Sequence, residues 1–72
     1  MRNDILERKI ARIIVALAEE RGVSEETALD LFYATETYRQ LVDPSTGLQL
    51  MSDGYVLEDV RERLAIAAAY AE

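Results

Sequence analysis

Neither cysteine nor histidine occurs in the 72 residues, and this absence limits how the chain can hold itself together. A chain of this length buries a small fraction of its surface, so its core alone supplies a thin margin of stability. The usual supplements are disulfides, a structural metal and association. The first is excluded, and so are the common zinc sites. What remains is an unusually well-packed core or a partner. Half of the residues are hydrophobic, which is enough to drive folding. One domain spanning residues 1–72 is expected.

The hydrophobic pattern is helical almost throughout. Leu6, Ile10, Ile13, Ile14 and Leu17 recur at three- and four-residue spacing, which places them on one face of a long first helix. Asn3 or Asp4 can cap it, and Gly22 stands where a left-handed residue ends a helix. Ser24, followed by Glu25 and Glu26, begins a second helix whose buried face is Ala28, Leu31 and Phe32. Thr35 caps a short third helix through Val42, with Tyr38, Leu41 and Val42 turned inward. The Asp43-Pro44-Ser45-Thr46-Gly47 run is a turn. Residues 48–51 read as an extended connector that plugs the core. Ser52 caps a last helix from about Asp53 to Tyr70, with Val56, Val60, Leu64, Ala67 and Ala71 on one face. The fold class is therefore all-α: a small bundle of three to four helices, with the long first and last helices antiparallel.

Several kinds of chemistry are missing. Without histidine or cysteine most base and thiol mechanisms are lost. The three glycines stand apart at 22, 47 and 54, so no phosphate-binding loop exists. No catalytic, cofactor-binding or metal-binding residue is assigned, no small-molecule substrate is inferred, and the chain is read as a non-enzyme. Glu58, Asp59 and Glu62 read as a solvated helix face. No apolar stretch approaches the roughly 20 residues of a membrane span. The charged residues 2–9 do not read as a secretory leader, so the expected location is the cytoplasm.

The net charge of −6 is uneven. Arg2, Arg8, Lys9, Arg12 and Arg21 lie before Gly22, and only Arg39, Arg61 and Arg63 follow it, against ten acids. The second and third helices have roughly the layout of a helix–turn–helix, which makes a nucleic-acid-linked regulator the alternative reading. Its candidate recognition helix offers only Arg39 and Gln40 to bases, and phosphate contacts lack lysines, so the charge weighs against nucleic acid as a partner. Arg8, Lys9 and Arg12 form the one cationic patch, read as an ordinary solvated face.

The feature that points to a function is the second half of the last helix. Residues 64–71 carry no charge and leave that helix without a polar outer side. Ile66 and Tyr70, four residues apart and off the main stripe, are the candidate interaction residues, with Tyr55 a more remote member; tyrosine joins apolar area to a hydroxyl and suits interfaces. The reading is a protein–protein interaction module, working as a homodimer or as the small acidic subunit of a complex.

With these segments aligned, the chain resembles a family of short uncharacterised bacterial helical proteins, classed as a domain of unknown function. The resemblance rests on the amphipathic helix over 5–21, the serine-initiated helix at 24–27, Leu31-Phe32, Thr37-Tyr38-Arg39-Gln40-Leu41 and Thr46-Gly47-Leu48. It implies a bacterial operon partner of predicted ADP-ribosyltransferase-like toxins, hence an antitoxin-like or accessory role, and it brings no catalytic residues.

Overall fold

The computed structural model describes residues 4–71, with side chains described through residue 69. The described chain is a small all-α bundle. Helix α1 spans Asp4–Arg21, α2 Glu25–Tyr33, α3 Glu36–Val42 and α4 Asp53–Ala71, and two single-turn 3-10 helices, Pro44–Thr46 and Leu48–Leu50, join α3 to α4.

The helix ends follow local chemistry. Gly22 adopts φ 68°, and the Val23 amide donates back to the Ala18 carbonyl at 3.0 Å, closing the six-residue loop of a Schellman motif. A Cβ at Gly22 would meet nothing within 4 Å, so a substitution there costs only the left-handed backbone. Gly22→Ala is expected to destabilise by about 1 kcal/mol, read as a fall in thermal midpoint of roughly 4–8 °C. An unchanged midpoint would show that α1 ends without that turn. Ser24 accepts from the Thr27 amide at 3.1 Å, and Ser52 accepts from the Tyr55 amide at 3.1 Å. Thr35 does more than cap α3. Its hydroxyl accepts from the Tyr38 amide at 3.3 Å and donates to the Phe32 carbonyl at 2.6 Å, which fixes the corner between α2 and α3. Asn3, the alternative cap of α1, lies outside the described residues.

The core is centred on Ile13 and Leu17 of α1, Ala28 and Phe32 of α2, Leu41 of α3, and Val56 and Val60 of α4, all essentially inaccessible. The Tyr38 ring packs edge-on to Phe32, with centroids 5.6 Å apart and planes at 74°, a favourable aromatic geometry. Two residues expected to face inward do not. Val42, the last residue of α3, is exposed, and Leu31 is only half buried. The 48–51 segment is not extended: Leu48–Leu50 is a 3-10 turn. One side chain, Leu48, enters the core, while Leu50 stands 88% exposed. A turn of three residues per revolution cannot present both leucines to the same side.

The largest departure from expectation is the direction of α4. The long helices are parallel, not antiparallel. Near the start of α1, Lys9 and Arg12 both reach Asp53, the first residue of α4, at 2.9 and 2.6 Å. Near the end of α1, Glu20 receives Arg61 from eight residues farther along α4 at 2.8 Å. Both sets of partners advance together, which only a parallel pair permits. The cause is the path between the helices. Instead of closing one end, α2, α3 and the 3-10 turns carry the chain back, so that the Met51 carbonyl accepts from Lys9 at 2.6 Å. The last helix therefore starts where α1 is already five residues old. Advancing from there over 19 residues, α4 outruns α1 by about seven residues, or roughly 10 Å at 1.5 Å per residue. The molecule is correspondingly long, 42 × 23 × 18 Å.

Candidate functional site

The overrun of α4 creates the candidate site. Leu64 and Ala67 continue the stripe of Val56 and Val60, but α1 has ended and no longer covers them. Leu64 is half buried, and residues 65–69 are exposed. On one side of this overhang the corner between α2 and α3 stands away from the helix. The gap is a groove of about 480 Å³ lined by Leu31, Ala34, Thr35 and Glu36 on one wall and by Arg63, Leu64, Ile66 and Ala67 on the other. Its surface is overwhelmingly apolar. Leu31 is therefore neither a core residue nor an idle surface one; it forms part of the groove wall.

The charges at the groove are already satisfied. Arg63 donates to Asp59 at 3.1 Å. The same Asp59 oxygen accepts from the buried Thr37 hydroxyl at 2.7 Å, which ties α3 to α4 just below the groove. Glu36 receives Arg39 at 2.9 Å. The rim thus presents paired charges around an uncharged floor.

The structure distributes the three expected interaction residues unequally. Ile66 is 57% exposed and lies on the groove wall. Tyr55 is exposed on nearly the same line of α4, but eleven residues earlier, about 16 Å away along the axis. The hollow beside it is shared with Glu58, Asp59 and Glu62, so carboxylates separate it from the apolar end. The side chain of Tyr70 lies outside the described residues. Leu31 and Ala34 were missed as site residues. Their helical spacing was visible in the sequence, but it assigned Leu31 to the core, and nothing marked where cover by α1 would stop.

The expected cationic face resolves differently. Lys9 is 8% exposed, and its ammonium binds the Met51 carbonyl and Asp53. Arg12 is paired with Asp53 through two nitrogens. Lys9 and Arg12 are therefore structural, joining the start of α4 to α1. The hydrogen bonds from Arg12, and then from Lys9, hold the Asp53 carboxyl down at about 2 against the opposing effect of its partial burial. At the other junction Arg61 lowers the Glu20 carboxyl by the same means. With Arg39 also paired, few uncommitted cations are left to meet phosphates, a poor arrangement for a helix–turn–helix reader.

Among the described residues, no group of three or more potential ligands is placed to hold a metal ion, and no helix is long and apolar enough to cross a membrane. Compared with known proteins, the chain matches no protein-family model, no curated protein and no solved structure.

Proposed function

We propose that this protein is a protein–protein interaction module that docks through the overhanging end of α4. The observation that carries the reading is the uncharged, exposed segment 65–69 of α4 beside the apolar groove under Leu64 and Ala67. Apolar surface gains about 25 cal/mol for each Å² removed from water. In a small domain that gain is large beside the whole folding free energy, so a continuous apolar end is costly to leave bare. The binding class is a protein surface or helix, not a nucleotide or other charged ligand, because the groove offers no unpaired charge to recognise one.

The occupant is a second copy or another protein that makes this chain its small acidic subunit. In the heteromeric case the acidic surface after Gly22 would speed encounter with a basic partner. The resemblance to operon partners of predicted toxins makes an antitoxin-like role in the bacterial cytoplasm one such case. The reading includes no catalytic step.

A photo-crosslinking residue placed at Ile66 tests it in the cells that naturally make the protein. A discrete adduct is expected from position 66 and none from the same probe at Ser45, on the exposed turn after α3. No adduct from position 66, or equal labelling from both positions, would remove the docking surface.

A further inference from the structure

We infer that the occupant of the groove is a second copy of this chain, bound about a two-fold axis with the overhanging end of one α4 antiparallel to the other. This rests on the docking reading above and identifies its partner.

Two observations converge on self-association, and the exposed area bounds its strength. The first is self-complementarity. The groove lacks an apolar helix, and the overhang is an apolar helix that lacks cover; one chain supplies both, side by side. A two-fold places each overhang against the other's groove and closes after two copies. Ile66, projecting from the groove wall, supplies the knob, and Leu31, Ala34 and Ala67 line the receiving hollow. Ala65, Ala67, Ala68 and Ala69 are small enough for two helices to approach at the short end of the usual 8–10 Å range.

The second is charge. Two copies of a chain with net charge −6 repel one another over most of their surfaces. Residues 64–69 carry no charge, and the ion pairs Arg63–Asp59 and Arg39–Glu36 neutralise the rim. This is where like copies can meet without opposing carboxylates. A strongly basic partner would find no complementary charge there.

The bound comes from area. A compact monomer of 8.1 kDa should expose about 4,500 Å², whereas this chain exposes 4985 Å². The surplus of roughly 500 Å² belongs to the elongated shape as a whole, so even if all of it were covered a pair would bury only about 1,000 Å², below the roughly 1,200 Å² at which stable interfaces begin. A dimer formed over this end is therefore expected to be weak, populated only toward high micromolar concentrations.

The experiment uses the full chain. Sedimentation equilibrium at about 100 µM is expected to give a mass above 8.1 kDa that rises toward twice that value with concentration, and Ile66→Asp is expected to return it to the monomer with its circular dichroism unchanged. Because the chain has no cysteine, single cysteines report on geometry without depending on that variant. Ala67→Cys should be joined to its own copy by a short bis-maleimide linker at least tenfold faster than Ser45→Cys. A wild-type chain that stays monomeric at 100 µM overturns the second copy. So does a dimer in which positions 67 and 45 link equally fast. The wider docking reading is judged separately, since an adduct of Ile66 with a different protein would survive a monomeric result here.

Discussion

Phe32→Ala is expected to remove a large part of the folding free energy, about 3–5 kcal/mol. Phe32 is the largest of the fully buried side chains and joins three parts of the fold. It lies in the core with Ile13 and Leu17, its ring receives the edge-on contact from Tyr38, and its carbonyl accepts from Thr35 at the α2–α3 corner. Truncating a buried phenylalanine costs about 3–5 kcal/mol, because the cavity collapses only in part. A 72-residue domain commands a total of roughly 4–11 kcal/mol. Even the lower cost should lower the thermal midpoint by more than about 12 °C, measured by circular dichroism in a melt or urea titration. Leu50→Ala is the matched control. Leu50 is 88% exposed, so its truncation should change stability by less than about 0.5 kcal/mol. If the two variants melt together, the core is not centred where the structure places it.

The second large effect concerns the junction where α4 begins. Asp53→Ala is expected to cost about 2 kcal/mol, whereas Lys9→Met should cost less than about 1 kcal/mol. The asymmetry follows from what each change leaves behind. Removing Asp53 leaves the ammonium of Lys9, whose side chain is 10% exposed, with the Met51 carbonyl but no counter-charge, and it also removes an acid from the positive end of α4. Removing the ammonium leaves Asp53 still paired with Arg12. In the double variant the loss should be smaller than the sum, since no buried charge is then stranded. Urea titrations of the four proteins give the coupling. Additive losses would mean that the pair is only a surface contact.

The same carboxylate sets an acid limit. Its folded value of about 2 lies below the ordinary 3.8, so folding favours the ionised form. The stabilisation is complete above the unfolded value and drains away as pH falls from about 4 through 2. Asp53 is 39% exposed, and screening by water reduces the contribution to about 1 kcal/mol. In Asp53→Asn this portion of the acid-induced loss should disappear.

Much of the fold is legible in the sequence because the helix boundaries are written in short-range chemistry. Gly22, Ser24, Thr35 and Ser52 each mark an end through a backbone angle or a hydrogen bond within a few residues. The direction of α4 is written nowhere locally. Up-and-down alternation makes the first and last of four helices antiparallel, but α2 and α3 are too short to act as two full legs. Together with the 3-10 turns they bring the chain back once. The Leu48–Leu50 turn was similarly out of reach, because three residues with two leucines fit an extended strip or a tight turn equally well.

The candidate site was half legible. The run of residues 64–71 without charge identified the right end of the right helix, and Ile66 stands on the groove wall. The opposite wall, Leu31 and Ala34, could not be named because its exposure depends on the stagger between α1 and α4. Lys9 shows the converse. Its neighbours Arg8 and Arg12 made it look like part of a solvated basic face, and only the return of the chain at Met51 reveals a buried ammonium.

The parallel stagger also determines how the molecule bears mechanical load. Asp4 and Ala71 begin and end helices that run in the same direction, so they lie toward opposite poles of the long axis. Tension applied between these points would slide α1 along α4 instead of peeling the two apart. The Lys9 and Arg12 clamp on Asp53 and the Glu20–Arg61 clamp would then be strained together, a loading in shear that resists rupture better than opening one contact at a time.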